Sequence, residues 1–264
     1  MRVHLIKIQS ITDYVLGHQN SKIPFDNWLY IQRYASWNQP SDIPNSFPSA
    51  DLLGNGSNRV IFDIGGNSFR MICKYHFGKK KSIYSSAGLA PMPTTPSFVR
   101  KIYNTLFPTI NPFSPAMDAY RYTIIKTDDQ YRQYCTRLES LLFEAPAGID
   151  YTDDVELLTL LIGKWDAEHS PLPEQDPISL LKTLLTTHHL KAKDLSELLG
   201  VSKGLVSDIL HYKRGLSKEV IRKLAAHFSV SQEAFNRPYP LIMEANSHLR
   251  DAKVMNTRKE LESA

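Results

Sequence analysis

Two hydrophobic periods run along the chain, and each predicts its own kind of element. Period two opens it. Residues Arg2 to Ile8 alternate, and so do Arg59-Val-Ile-Phe-Asp-Ile64 and Ser68-Phe-Arg-Met-Ile-Cys-Lys-Tyr75 on either side of Gly65-Gly-Asn67, which predicts strands joined by a tight hairpin. Between them, helical spacing over Ile11 to Leu16 and Phe25 to Ala35 predicts two helices, the second burying Trp28, Ile31 and Tyr34. Pro40, Pro44 and Pro48 then break the chain into a loop. Helices followed by an antiparallel sheet predict a compact α+β domain of roughly 100 residues.

From Tyr120 onward the pattern is helical. After an extended Tyr120 to Ile125, Thr127-Asp-Asp-Gln130 reads as a capping box that opens a helix with Tyr131, Leu138, Leu141 and Leu142 inward. Thr152-Asp-Asp opens another, with Leu157, Leu158, Leu161, Ile162 and Trp165 on one side. Asp153, Glu156, Asp166 and Glu168 lie on the other, read as a solvated face, with contact to the basic first half as the alternative. Asp176-Pro177 caps a helix burying Ile178, Leu181, Leu184 and Leu185. Ala192 to His211 then reads as a helix-turn-helix: Leu195, Leu198 and Leu199 face inward, Gly200 turns the chain, and Ser202 caps a second helix that buries Leu205, Val206, Ile209 and Leu210. Ser217 to His227 and Ser231 to Phe235 complete five helices, a Cro/repressor-like unit.

The outward side of the second helix carries Ser202, Lys203, Ser207, Asp208 and His211, types that hydrogen-bond base edges or phosphates, and Lys213, Arg214 and Lys218 follow where a duplex backbone would run. These eight residues are the predicted DNA-binding set. Asp208 repels phosphate unless it accepts from a cytosine amino group. The competing reading is a small helical bundle with a solvated polar face.

A net charge of +4 names no partner, but its distribution is uneven. No acidic residue lies between Asp63 and Asp118, whereas Arg70, Lys74, Lys79, Lys80, Lys81, Arg100 and Lys101 do, as in a nucleic-acid binder. Cys73 and Cys135 are far apart, which disfavours a disulfide framework or a zinc site, and His188, His189, His211 and His227 fit no common ligand spacing. We therefore expect no metal and no cofactor. With no spanning apolar run and no signal-peptide core, we expect a cytoplasmic protein without a membrane partner.

Trp37, Phe47-Pro-Ser-Ala-Asp51, Asn58-Arg-Val-Ile-Phe-Asp-Ile64, Gly66-Asn67 and Phe69-Arg70 resemble the HigB-type toxins, RelE-like mRNA interferases that cut mRNA on the ribosome. The resemblance covers residues 1–81. It implies that Arg70 and Lys74 are catalytic, holding the RNA backbone and neutralising the developing phosphorane charge, and that Lys79, Lys80 and Lys81 add RNA-binding charge. Arg70 equally suits a surface strand residue. Such toxins end in another strand and a Gly-Thr-His-Ala-Glu-Tyr-like segment that supplies acid–base groups. Here Ser82 to Ser97 stands instead, and Pro91, Pro93 and Pro96 exclude a central strand there. A frameshift after Lys81 accounts for the departure, because bases that encode Ser85 to Phe98 also permit a Gly-Thr-His-Ala-Asp-Tyr reading. An evolved interdomain linker is the alternative.

The stretch from about Tyr120 to Ile242 resembles HigA-type antitoxins, which repress their own operon. The organisation expected is a toxin-like domain over 1–81, a Pro-rich linker over 82–116, an antitoxin helical region over 117–175, a DNA-binding domain over 176–242 and a polar tail over 243–264. The functional expectation is a toxin–antitoxin fusion that binds operator DNA as a homodimer, with the toxin half inactive or neutralised by contact within or between chains. The alternative is an active ribosome-dependent mRNA endonuclease silenced by the fused antitoxin.

Overall fold

The structure, a computed structural model, describes residues 2–6, 8–54, 57–66, 68–77, 82–90, 122–145, 149–169 and 175–242. It divides into two units, residues 1–174 with 228–231, and residues 175–227 with 232–264.

The first unit begins with β1 (Arg2–Ile6), α1 (Ile8–Gly17), α2 (Lys22–Tyr34) and the single-turn α3 (Ile43–Ser46). Then come β2 (Asp51–Leu53), β3 (Arg59–Ile64), β4 (Phe69–Phe77) and β5 (Ser82–Ala90). They form one sheet in the order β1-β5-β4-β3-β2, in which only the β1–β5 pair is parallel. The predicted hairpin is present. Gly65 and Gly66 adopt left-handed φ of 65° and 63°, and a Cβ on Gly65 would stand 3.0 Å from Pro24 Cγ, so glycine is needed there for two reasons.

Alternation sorts the sheet into two faces. Val60, Phe62 and Ile64 are buried while Arg59, Ile61 and Asp63 are half-buried. The apolar face meets α2 and the loop after α3: Trp28 lies 5.5 Å from Phe47 and 5.1 Å from Phe62 between ring centroids, a favourable aromatic cluster. Trp37 is buried beside it and donates through Nε1 to Ser46 Oγ at 2.9 Å. Residues 228–231 also belong here, with Val230 bridging antiparallel to Ala35 and Ser46 Oγ donating to the Phe228 carbonyl at 2.8 Å.

Residues 82–90, expected in the linker, are instead strand β5, paired with both β1 and β4. The first proline comes only at Pro91, so every residue of β5 keeps its N–H for the ladders on its two sides. Residues 91–121 and the tail from 243 lie outside the described residues.

The unit closes with two helices, α4 (Asp128–Phe143) and α5 (Thr152–His169). Thr127 accepts from the Gln130 backbone N–H as a helix cap, while the Gln130 side chain accepts from Lys126 N–H rather than from the cap residue itself. Ile6 of β1 shares a buried cluster with Tyr131, Leu138, Leu158, Ile162 and Trp165, so the pair packs on the sheet. Two assignments on α5 are corrected. Asp166 is buried with Leu158, Ile162 and Trp165, and Leu157 is 42% exposed. Positions 158, 162, 165 and 166 share one helical face, whereas 157 lies a helical step of about 100° to one side of it.

The second unit comprises α6 (Pro177–Thr187), α7 (Ala192–Leu199), α8 (Lys203–Leu210) and α9 (Lys218–His227). Its core includes Ile178, Leu181, Leu184, Leu195, Leu199, Val206, Ile209 and Leu224. The fifth helix expected over Ser231 to Phe235 is only a 3-10 turn at Gln232–Ala234, closed by Phe235 N–H to the Gln232 carbonyl at 3.1 Å. Pro238 and Pro240 follow at once and stop helical propagation. Among the described residues no helix is long and apolar enough to cross a membrane.

Candidate nucleic-acid interface

The second unit presents its polar chemistry across the turn between α7 and α8. Gly200 ends α7 in the left-handed region at φ 68°, and its N–H reaches the Ser196 carbonyl at 3.0 Å. Ser196, small enough for the crossing, donates from Oγ to the Val201 carbonyl at 2.7 Å and ties the turn from within. Ser202 accepts from Leu205 N–H at 3.2 Å and starts α8. Val206 and Ile209 are fully buried, which fixes the rotation of α8 and leaves its opposite side outward.

On that side Ser202, Lys203, Ser207 and His211 are exposed, as are Lys213, Arg214 and Lys218 beyond the helix. Asp208 is half-buried, and its carbonyl accepts from the backbone N–H groups of Lys213 and Arg214 at 2.8 and 3.2 Å, so the basic pair is held against the end of α8. His211 Nδ1 donates to the Ser207 carbonyl at 2.8 Å, leaving Nε2 for another partner. The arrangement offers one helix face of donors and acceptors, rimmed by cations.

Spacing does not reveal what braces this face. Tyr212 takes a left-handed φ of 60°, and its hydroxyl donates to the Asp176 carboxylate at 3.0 Å. The Lys182 ammonium lies 4.9 Å from the centroid of the same ring. Burial pushes the Asp176 carboxyl upward, yet hydrogen bonds from Ser179, Tyr212 and Ile178 outweigh it and hold the group below its ordinary range. Lys223 donates from Nζ to the Leu199 carbonyl at 2.6 Å, satisfying the end of α7. Tyr212 carries no sequence signal for this role, since tyrosine is tolerated in helices and its left-handed φ shows only in the structure.

The second basic surface is the half-buried face of the sheet. By register Arg59 faces Lys74 and Asp63 faces Arg70 across β3 and β4. Arg70 Nε donates to Asp63 Oδ1 at 2.8 Å, so the predicted catalytic arginine is already paired. Lys74 lies on the same face, its ammonium 5.3 Å from the Phe143 ring of α4. His76, two residues on, meets that ring edge-on at 6.2 Å, and burial lowers its pKa. His76 was missed in the sequence although the period-two spacing from Arg70 through Lys74 leads to it. Lys79, Lys80 and Lys81 lie outside the described residues. No group of three or more potential metal ligands occurs among the described residues.

An α+β sheet with a basic face under helices from later in the chain, together with a helical unit whose α8 is flanked by exposed cations, is the setting in which the comparisons fall, and both are likenesses to components of toxin–antitoxin systems. Residues 21–88 match the HigB_toxin family model, described as the RelE-like toxic component of a toxin-antitoxin system. The chain is also 29% identical over 119 residues to Antitoxin HigA of Escherichia coli K12, a match spanning 42% of this chain and 82% of that relative. Antitoxin HigA of Escherichia coli O6:H1 and of Shigella flexneri match to the same extent, 29% over 119 residues. The polypeptide thus carries likenesses to both partners of a HigB–HigA system. The toxin likeness continues past Lys81 to residue 88, within β5, and so extends beyond the departure expected at Lys81.

Proposed function

We propose that the HigA-like half, assigned to about Tyr120 to Ile242, is a Cro/repressor-like helix-turn-helix regulator that binds operator DNA as a dimer and represses its own operon, while the HigB-like half is inactive or neutralised. The observation that carries the DNA reading is the face of α8. Its buried Val206 and Ile209 turn Lys203, Ser207 and His211 to solvent, with Lys213, Arg214 and Lys218 flanking them as phosphate contacts. Silencing is supported by Phe143 lying over Lys74 and by the Asp63 carboxylate engaging Arg70, since both cations would have to meet an RNA backbone. A gel-shift titration against the chain's own upstream DNA at two salt concentrations tests the first part: retention that weakens steeply with salt is expected, and none at either salt refutes it.

A second reading keeps the toxin half competent. Arg70, Lys74 and His76 share one sheet face, which would suit ribosome-dependent mRNA cleavage once uncovered. Expression of residues 1–116 alone separates the two readings, because growth arrest supports a competent, restrained endonuclease and normal growth of cells containing the folded fragment supports an inactive one. Either reading places the protein in the cytoplasm.

A further inference from the structure

Helix α5 has a face that is left exposed among the described residues of the first unit. Asp153, Glu156, Leu157, Leu160, Gly163, Lys164 and Ala167 are all exposed, and by helical geometry they lie within about 60° of Leu160 on one stripe. Leu160, at the centre of the stripe, is 71% exposed and Leu157, at its edge, 42%, while Gly163 has open space where a Cβ would stand. The opposite side, with Leu158, Ile162 and Trp165, is spent on the core.

We infer that this stripe is a self-association surface on which α5 packs antiparallel against α5 of a second copy, with the two-fold axis at Leu160. The sequence of the stripe is self-complementary about that residue. Four residues to one side stands Glu156 and four to the other Lys164, so an antiparallel partner brings opposite charges to the same level twice. Three residues to either side stand Leu157 and Gly163, so the glycine of each copy leaves room at the level of a leucine of the other. Lys164 spends little where it is, since its contact with Glu168 is 3.9 Å long between side chains more than half exposed. A parallel pairing would instead bring like charges to the same level, Glu156 beside Glu156 and Lys164 beside Lys164. The inference is independent of the DNA reading, because it concerns the first unit and needs no operator.

The test is the mass of the full-length chain by sedimentation equilibrium without DNA, with disulfide trapping as a second measurement. A dimer is expected that Leu160→Glu converts to monomer at unchanged helical content. Glu156→Lys alone is expected to weaken association about tenfold, and Glu156→Lys with Lys164→Glu to restore it. Cys73 and Cys135 are buried, so mild oxidation of a Leu160→Cys variant should give a cross-linked dimer. An Asp153→Cys variant should not, because seven residues from the axis on each copy puts the pair about 21 Å apart. A monomeric wild-type chain, or a dimer indifferent to Leu160→Glu and to the charge exchange, would overturn the inference. If another segment of the same chain covers the stripe, the wild type will be monomeric, which is the same negative result.

Discussion

Ser46 shows how much a single hydroxyl can hold. It is fully buried, accepts from the Trp37 indole at 2.9 Å and donates to the Phe228 carbonyl at 2.8 Å, so it joins the aromatic core to the segment at 228–231. Ser46→Ala strands the indole N–H in an apolar site, and the expected loss is about 1–3 kcal/mol in urea unfolding. Asp166 acts in the opposite sense. Burial raises its carboxyl to about 6, against which the Tyr131 hydroxyl at 2.8 Å and the nearby His169 act only in part. Because the folded group titrates higher than the unfolded one, the chain gives up stability as pH climbs from about 4 to 6 and stays at the lower level above that. Asp166→Asn keeps an acceptor for Tyr131 and removes the charge. It should stabilise α4 and α5 by on the order of 1–3 kcal/mol at pH 7.5, with the gain disappearing near pH 4, as read by hydrogen-exchange protection of their amides. The placement of Asp166 was not legible in the sequence, since a carboxylate one helical step from a buried Trp reads equally well as the rim of a polar face. Ser46 was likewise silent: its two partners are nine and about 180 residues away.

Elements whose local signals all agree were legible. Capping at Ser202, left-handed Gly200 and buried Val206 and Ile209 place α7 and α8 where helical spacing puts them, and the two glycines before Asn67 fix the hairpin. Gly200→Ala tests this scale. Its Cβ would find space, with Lys223 Nζ at 3.7 Å, so the expected cost is the backbone strain alone, about 1–2 kcal/mol in thermal unfolding. Tyr212→Phe is expected to cost a similar amount by removing the donor that clamps Asp176 beside α8. What failed at this scale failed through long-range pairing. Strand β5 has no strong pattern of its own; it exists because β1 and β4 both offer it a ladder, and its partners lie 80 residues away on β1 and 6 to 20 residues away on β4. The stretch Ser231 to Phe235 was misread for the converse reason. Its buried Ala234 and Phe235 imitate a helical face, yet prolines follow too closely for a helix to form.

At the scale of the whole molecule, likenesses to a toxin and to its antitoxin occur in one chain, and α4 and α5 pack on the toxin-like sheet through Ile6 and Phe143. Uncovering should follow from loss of that ring. Phe143→Ala is expected to leave the first unit folded and to raise the reactivity of Lys74 toward an amine-modifying reagent several-fold, measured by peptide mass spectrometry. Unchanged reactivity would mean that the ring does not shield it. The outward placement of Ser202, Lys203, Ser207 and His211 was legible from helical spacing, whereas the partner that face meets is not written in the protein sequence. The most direct measurement is therefore the salt dependence of binding to the chain's upstream DNA, for the wild type and for Lys203→Ala with Arg214→Ala. We predict that log Kd rises linearly with log salt and that each cation removed lowers the slope by about 1, with unchanged folding. Retention that ignores salt, or a slope that the double substitution leaves intact, would contradict the assignment of this face to DNA.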